Sequence, residues 1–216
     1  FHDAVVSGKT ICGPVIASAI EKALKMGESN ACMKRIVAAP TAGACGVVPA
    51  VYLTLQEQRQ IDDERMLEAM YIASGVGGVI ANRAFLAGAA GGCQAEIGSA
   101  SSMAAAGAVY LAGGDTEAII HAAAMAMKNL LGLACDPVAG LVEVPCVKRN
   151  VVGAVNALSA ADMALAGVRS IIPPDEVFDA MRSVGISLPE AIRETGKGGL
   201  AATTTGQKIA QGLQHE

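Results

Sequence analysis

Tryptophan is absent from this chain of 216 residues, and aromatic side chains make up only 3 % of it. Hydrophobic residues still account for 52 %, because alanine, valine, methionine and other aliphatic residues take the place of the aromatics. Small side chains let helices approach one another closely, so this composition is typical of a tightly packed helical protein. A chain of this length can bury a core of its own.

Runs of basic residues are also absent, and the net charge is −4. Both features argue against a nucleic-acid-binding surface. The six cysteines stand in a chain rich in apolar residues, unlike those of a small secreted disulfide protein. The N-terminal FHDAVVSGK lacks the basic region and apolar core of a signal peptide. The sequence therefore predicts a protein of the reducing cytoplasm.

Long hydrophobic runs of membrane type are missing as well, although two segments come close. Residues 98–114 carry no charge, and residues 71–92 are interrupted only by Arg83. A bilayer span needs about 20 strongly apolar residues. These segments contain serine and glycine and lack interfacial aromatic belts, although their small residues also suit helix pairing in membranes. We interpret both as buried helices of a soluble protein, with a membrane span as the alternative.

Apolar residues spaced three and four apart predict helices along most of the chain, and no alternation of period two persists. Pro14 suits a first helical turn, and Asp115 is a natural N-cap followed by Glu117. We therefore predict an all-α fold, with residues 1–216 as a single compact multi-helix domain and its site at helix ends and loops. The predicted helices cover residues 14–26, 46–60, 62–72, 95–111, 115–131, 148–168, 174–182 and 188–194.

Three cysteines are distinguished by their neighbours: Cys93 in GGCQAEIG, Cys135 in LACDPVAG and Cys146 in VEVPC. Glycine and proline let loops approach an inorganic cluster and direct backbone N–H groups at it. The short cysteine spacings of zinc ribbons and bacterial ferredoxins are absent, so spacing alone leaves a core role open. A single free cysteine is more often buried in a core, and this is the prediction for Cys12 and Cys32.

Two glycine-containing loops are candidates for binding an anion. APTAGACG, residues 39–46, leads directly into a predicted helix, where backbone N–H groups can bind a carboxylate. RETGKGGL, residues 193–200, combines a helix stop with a cationic turn at Lys197. The alternatives are an ordinary connector for the first loop and a solvated lysine after a C-cap for the second.

Four motifs together resemble the α chain of the iron–sulfur-dependent L-serine dehydratases: PTAGACGVVPAV, GGCQAEIGSASSMAAAG, CDPVAGLVEVPCVKRN and RETGKGGLAATTTG. The resemblance extends over residues 1–207 and implies that Cys93, Cys135 and Cys146 bind a [4Fe–4S] cluster. Single-chain members end in a further cysteine that caps the fourth iron, whereas this sequence ends in QGLQHE. The fourth ligand therefore stays open, and Thr205 stands where the family pattern has proline.

The resemblance implies a β-elimination that converts L-serine to pyruvate and ammonia. In such a reaction the cluster acts as a Lewis acid toward the leaving hydroxyl group, and a base removes the Cα proton. Two alternatives remain at this stage. One is a related lyase acting on L-threonine or L-cysteine, and the other is a non-catalytic scaffold that binds a metal or cluster.

No histidine of this sequence lies in a motif that looks catalytic. His121 belongs to an alanine-rich helix and is predicted to be packed or half-exposed, whereas the terminal His2 and His215 are predicted to be mobile. In the family the base is associated with a Ser-His-Thr motif on the β domain, and this chain has no such motif. The resemblance thus implies a separate β chain and an αβ or higher oligomer.

The substrate carboxylate is expected to bind at Thr41, Ala42, Gly43, Cys45 and Lys197, because both loops offer hydrogen-bond donors. These assignments rest on the motifs named above and not on spacing.

Four further polar residues lie close to the cysteine motifs in sequence. Glu96 is predicted to contact the substrate ammonium or orient the cluster, with a helix N-terminal acid as the alternative. Asp136 is predicted to cap the turn that follows it. Lys148 and Arg149 either balance the charge of a thiolate-ligated cluster or are solvated.

Overall fold

The computed structural model describes residues 1–213 and contains ten α-helices in that part of the chain. A π-helical turn (Gln94–Gly98) and three 3-10 turns (Val138–Gly140, Glu190–Ile192 and Gly199–Ala202) lie between them. The α-helices are α1 (His2–Val6), α2 (Gly13–Ala31), α3 (Val47–Arg59), α4 (Asp63–Arg83), α5 (Gly88–Gly91), α6 (Ser99–Leu111), α7 (Thr116–Lys128), α8 (Cys146–Leu165), α9 (Pro174–Ser187) and α10 (Thr204–Leu213). The predicted all-α class is confirmed.

Helix α6 is the centre of the core, and α3, α4, α7 and α8 pack around it. Of its thirteen residues only Tyr110 is not buried, as expected for a helix that is apolar on every side. Within residues 1–213, no helix has both the length and the apolarity that crossing a membrane requires. Burial of α6 inside a bundle thus explains why Ser99–Leu111 carries no charge.

Close helix packing depends on small residues at the contacts, and Gly107 of α6 gives the clearest case. A Cβ atom at this position would overlap the Tyr52 hydroxyl group of α3. That hydroxyl group donates to the backbone carbonyls of Ala69, 3.1 Å away, and Met103, 3.4 Å away. One glycine therefore lets a buried tyrosine join α3, α4 and α6.

Most predicted helices are present, but their bounds differ. The helix predicted for residues 62–72 continues to Arg83, and its cap is Asp62, whose side chain accepts from the Arg65 N–H at 2.8 Å. The helix predicted for residues 188–194 is wrong, because only Glu190–Ile192 forms a 3-10 turn. Pro189 holds an extended backbone before that turn, and the following residues pair with another loop.

Helices α1, α5 and α10 were not predicted. Helix α10 follows directly on the 3-10 turn Gly199–Ala202, and Thr203 caps it by accepting the Gly206 N–H at 3.1 Å. Thr205 thus lies in the first turn of a helix. This accounts for the residue that departs from the family pattern, since a first turn tolerates many residue types.

Among the described residues, the histidines bond to partners outside the three cysteine motifs. His2 opens α1, and its Nδ1 lies 3.0 Å from the Glu21 carboxylate. His121 is partly buried on α7 and accepts the Ser170 N–H at 3.1 Å, which confirms the packed position. His215 lies outside the described residues.

Cys12 and Cys32 are exposed, so their predicted burial in the core is wrong. They flank α2 at its two ends, where the helix meets the surface. Cys45 is completely buried instead, and its thiol lies 3.8 Å from the Met26 carbonyl oxygen. Burial raises the pKa of Cys45 to about 11.

Brief treatment of the metal-free chain with iodoacetamide at about pH 8 should therefore label Cys12 and Cys32 and leave Cys45 unmodified. Alkylation requires an accessible thiolate, and Cys45 has neither solvent exposure nor a low pKa. Peptide mass spectrometry over time measures each site. Labelling of Cys45 as fast as Cys32 would show that the α2–α3 contact opens readily.

Candidate metal centre and the turn beside it

The three cysteines singled out by their motifs are buried at the ends of helical segments. Cys93 directly precedes the π-helical turn, Cys135 lies in the loop after α7, and Cys146 is the first residue of α8. One atom each of Cys93, Cys135 and Glu96, two thiol sulfurs and a carboxylate oxygen, lie within 4.8 Å of one another. Such a set of sulfur and oxygen donors is suited to holding a metal.

The thiols in this set influence one another. A hydrogen bond with Cys135 lowers the pKa of Cys93, burial opposes this, and the nearby Arg149 charge lowers it further. The same hydrogen bond is the main reason that the pKa of Cys135 is raised, with burial next. Cys146 lies beside the set, and burial, followed by the charges of Cys93 and Glu96, raises its pKa to about 12.

Cys93 is positioned by the residues on both sides of it. Gly92 has a φ of +76°, and a Cβ atom there would lie 2.5 Å from Leu188 Cδ1. The completely buried Gln94 side chain accepts the Gly132 N–H at 2.8 Å and donates to the Met181 carbonyl at 3.0 Å. Gln94 was not predicted from the sequence, although a polar residue inside an apolar run was a usable signal.

Cys135 is held by backbone pairing with the segment after α9. Its N–H donates to the Ile192 carbonyl at 2.8 Å, and its carbonyl accepts the Glu194 N–H at 2.7 Å. Glu194 adopts a φ of +65°, which is unusual for a residue other than glycine. This pairing explains why residues 193–194 leave the predicted helix.

An ion pair lies next to the thiols. Arg149 Nη2 is 2.8 Å from Asp136 Oδ1, and Nη1 donates to the Ala134 carbonyl at 2.7 Å. The guanidinium also lies close enough to Cys93 for its charge to lower the pKa of that thiol. Asp136 Oδ2 accepts the Leu200 N–H at 2.8 Å. Asp136 therefore caps a distant 3-10 turn and not the turn after it. Arg149 faces the thiols, whereas Lys148 is exposed.

The turn formed by residues 41–46 borders the carboxylate of this site. Thr41 Oγ1 donates to Glu96 Oε1 at 2.7 Å, and a Cβ atom on Gly43 would lie 2.9 Å from the same oxygen. Burial raises the pKa of Glu96, and the Thr41 hydrogen bond opposes this. Ala42 is exposed, and Cys45 contributes only its backbone because its thiol lies in the core.

Lys197 lies apart from the thiols. Its Nζ is 2.6 Å from Glu190 Oε1, and both side chains are about two-thirds exposed. It lines a surface cleft of about 780 Å³ with Thr195, Gly196 and residues of α10, and none of the three cysteines lines that cleft. The structure thus brings the turn to Glu96 but leaves Lys197 paired at the surface.

Gly88 lies against three of these groups, so Gly88→Ala should disturb the site directly. A Cβ atom there would lie 2.8 Å from Cys135 Sγ, 3.0 Å from Glu96 Oε2 and 3.2 Å from Glu194 Oε2. We expect metal affinity to fall by about 10- to 100-fold, the usual cost of disturbing the groups around metal ligands. Titration against a chelator measures this.

Gly78→Ala is the matched control, because this exposed glycine of α4 has no atom within 4 Å of the Cβ position. Alanine in a helix interior is favoured over glycine by about 0.5–1 kcal/mol. The control should keep the metal affinity and melt slightly higher. Equal metal affinity in both variants would contradict the close contact of Gly88 with Cys135 and Glu96.

The fold and the site together define an all-α protein with a candidate metal centre built from buried thiols at helix ends. The chain belongs to the serine dehydratase alpha chain family, whose model matches residues 2–201.

Among its relatives are two chains named probable L-serine dehydratase, alpha chain, both 56 % identical. The match to the Bacillus subtilis chain covers 94 % of this chain and 68 % of that one, and the match to the Latilactobacillus sakei chain covers 89 % and 92 %. The L-serine dehydratase alpha chain of Peptoniphilus asaccharolyticus is 50 % identical over 97 % of this chain and 72 % of its own length. An L-serine dehydratase of Escherichia coli is 43 % identical over 83 % of this chain, but the match covers only 40 % of that longer protein.

Proposed function

We propose that this chain is the α subunit of an L-serine ammonia-lyase, which dehydrates L-serine to pyruvate and ammonia. The observation that carries the proposal is the meeting of Cys93, Cys135 and Glu96 at helix ends, with Cys146 beside them, in a member of the serine dehydratase alpha chain family. Close relatives are named for this activity.

Cys93, Cys135 and Cys146 are the proposed ligands of a [4Fe–4S] cluster. The donor set fits, because thiolate ligands favour iron–sulfur clusters or zinc, whereas magnesium and calcium prefer oxygen ligands. Arg149 beside Cys93 favours the thiolate form of that ligand. When bound, the cluster supplies an iron Lewis acid that stabilises negative charge on a leaving hydroxyl oxygen.

The turn of residues 41–46 is the proposed binding site for the substrate carboxylate. The N–H groups of Ala42, Gly43 and Ala44 donate to no acceptor within residues 1–213. Ala42 is exposed and Gly43 is partly exposed, so an anion can reach their N–H groups, whereas Ala44 is completely buried. Cys45 contributes by shaping the turn, since its N–H donates to the Ala42 carbonyl at 3.2 Å. Lys197 is a further proposed carboxylate ligand, which requires it to leave Glu190 when substrate binds.

Glu96 is the proposed partner of the substrate ammonium group. Its carboxylate lies between the turn and the thiols, and Thr41 fixes its orientation by a hydrogen bond of 2.7 Å. Carboxylate and ammonium groups of an amino acid would then bind to adjacent parts of one site. The substrate hydroxyl group is thereby directed to the thiol side.

We further propose that a separate β chain supplies the base that removes the Cα proton, in an αβ or higher oligomer. His2 is bonded to the Glu21 carboxylate and His121 accepts the Ser170 N–H, so neither of these histidines is bonded to a residue of the three cysteine motifs. Several relatives are themselves named alpha chains. The exposed thiols of Cys12 and Cys32 fit a reducing cytoplasm.

Anaerobic reconstitution of the chain with iron and sulfide, with and without a β chain, tests the proposal. We expect about four irons per chain, little turnover by the α chain alone, and pyruvate formation from L-serine once the β chain is added. Assays with L-threonine and L-cysteine in parallel test the two other substrates. Tight binding of zinc, no cluster and no turnover would instead favour a structural metal scaffold.

A further inference from the structure

Asn150 joins the turn of residues 41–46 to the helix that carries Cys146. Its side chain is 1 % exposed and makes three hydrogen bonds. Oδ1 accepts the Gly46 N–H at 2.8 Å, and Nδ2 donates to the carbonyls of Gly43 at 2.8 Å and Cys146 at 3.0 Å. A backbone donor on one side and two carbonyl acceptors on the other fix the amide orientation.

These bonds determine how the turn presents its backbone. The carbonyl and N–H groups of a trans peptide point in opposite directions. With the Gly43 carbonyl held on Asn150, the Ala44 N–H of the same peptide is directed away from Asn150. This N–H group is one of those that have no acceptor within the described residues.

The packing leaves the turn little freedom to shift relative to Asn150. A Cβ atom on Gly46 would lie 2.9 Å from the Ala23 carbonyl oxygen and 3.0 Å from Asn150 Oδ1. The turn is thus pressed between α2 and α8. A small residue at position 46 is required for that close approach.

We propose that Asn150 is the positioning residue that fixes the carboxylate-binding turn relative to Cys146. Its side chain sets the spacing between the group that holds the substrate carboxylate and the thiol end of the site. This inference rests on the proposed function, and it assigns Asn150 an effect on substrate binding and not on metal ligation.

The test compares Asn150→Asp with Asn156→Asp in the reconstituted enzyme with its β chain. Aspartate keeps the shape and the acceptor but removes the two Nδ2 donors. Asn156 also lies on α8 and donates to Ser101 Oγ and the Ala126 carbonyl, each at 2.8 Å, without touching the turn or Cys146. Each variant therefore loses two hydrogen bonds donated by Nδ2, but only Asn150→Asp loses them at the turn and at Cys146.

We expect Asn150→Asp to raise KM for L-serine by about tenfold or more, as for the loss of one or two buried hydrogen bonds. The kcat should change less, and the iron content and visible spectrum should match the wild type. Binding of L-alanine, which has both charged groups but no hydroxyl group, should weaken by a similar factor. Asn156→Asp should leave KM and L-alanine binding unchanged.

Equal KM and L-alanine affinity in the two variants would overturn the assignment, as would a loss of iron in Asn150→Asp with KM unchanged. Hydrogen exchange of the metal-free chain distinguishes a failure of the Asn150 assignment from a failure of the proposed function. Peptides covering residues 41–46 should exchange faster in Asn150→Asp than in Asn156→Asp. That result stands even if the wild-type enzyme does not act on L-serine, whereas equal exchange rates count against Asn150.

Discussion

Replacement of Cys93, Cys135 or Cys146 by alanine is expected to abolish dehydration of L-serine by the enzyme reconstituted with its β chain, with a loss of about a thousandfold or more. The loss corresponds to the several kcal/mol that a metal Lewis acid contributes to stabilising a charged transition state. Each variant should also fail to assemble a complete cluster during anaerobic reconstitution. Iron and sulfide analysis, visible absorption and the rate of pyruvate formation measure these effects together.

Cys32→Ala is the matched control, because it makes the same change at an exposed thiol at the end of α2. We expect this variant to keep wild-type iron content and activity. Cys146 is the most informative of the three replacements, since its sulfur lies beside, and not within, the compact group of Cys93, Cys135 and Glu96.

A full cluster in Cys146→Ala would mean that Glu96 or another donor takes the third position. A full cluster in all three variants would refute the ligand assignment. If the wild-type chain assembles a cluster but shows no turnover with its β chain, the ligand assignment is supported and the proposed dehydration of L-serine is refuted. The three results therefore separate the ligand set from the chemistry.

Arg149→Met should have the second-largest effect, because it lowers the stability of the fold and also changes the surroundings of Cys93. Removing the guanidinium leaves the Asp136 carboxylate, whose side chain is only 6 % exposed, without its cation. Breaking a buried ion pair in this way costs about 3–5 kcal/mol, which lowers Tm by about 10 °C in a chain of this size. Cys93 also loses the nearby positive charge that lowers its pKa.

Lys148→Met provides the comparison, because the neighbouring cation is exposed and should change stability by no more than about 0.5 kcal/mol. Thermal unfolding of the metal-free chain measures the stability effect, and reconstitution measures the effect on the site. Arg149→Lys tests geometry, since one ammonium group cannot reach Asp136, Ala134 and Cys93 in the same planar arrangement. If Arg149→Met and Lys148→Met unfold at the same Tm, the ion pair between Arg149 and Asp136 contributes no net stability.

The helical class was predictable because apolar spacing in α2 and α7 repeats over several turns. The cysteine motifs were recognisable because glycine and proline neighbours restrict what the backbone can do. Burial was less predictable: a free cysteine is more often buried than exposed, yet Cys12 and Cys32 both face solvent. A residue at a helix end can lie on either side of the boundary between core and surface.

The contacts between distant segments could not be predicted from one sequence. Asn150 and Gln94 each bind backbone groups of other loops, and a local pattern carries no information about such partners. The segment after Pro189 had helical spacing, but pairing with Cys135 decided its structure. Asp136 looked like a local cap for the same reason, although its partner is the Leu200 N–H.

The pairing of Cys135 with Ile192 and Glu194, together with the Asp136 bond to Leu200, has a consequence for biosynthesis. A ribosome releases the cysteine motifs well before it releases residues 192–200. Until those residues emerge, the loop that carries Cys135 and Asp136 lacks its backbone partners. The Cys135 side of the candidate metal centre can therefore reach the geometry described above only after the segment after α9 has been translated.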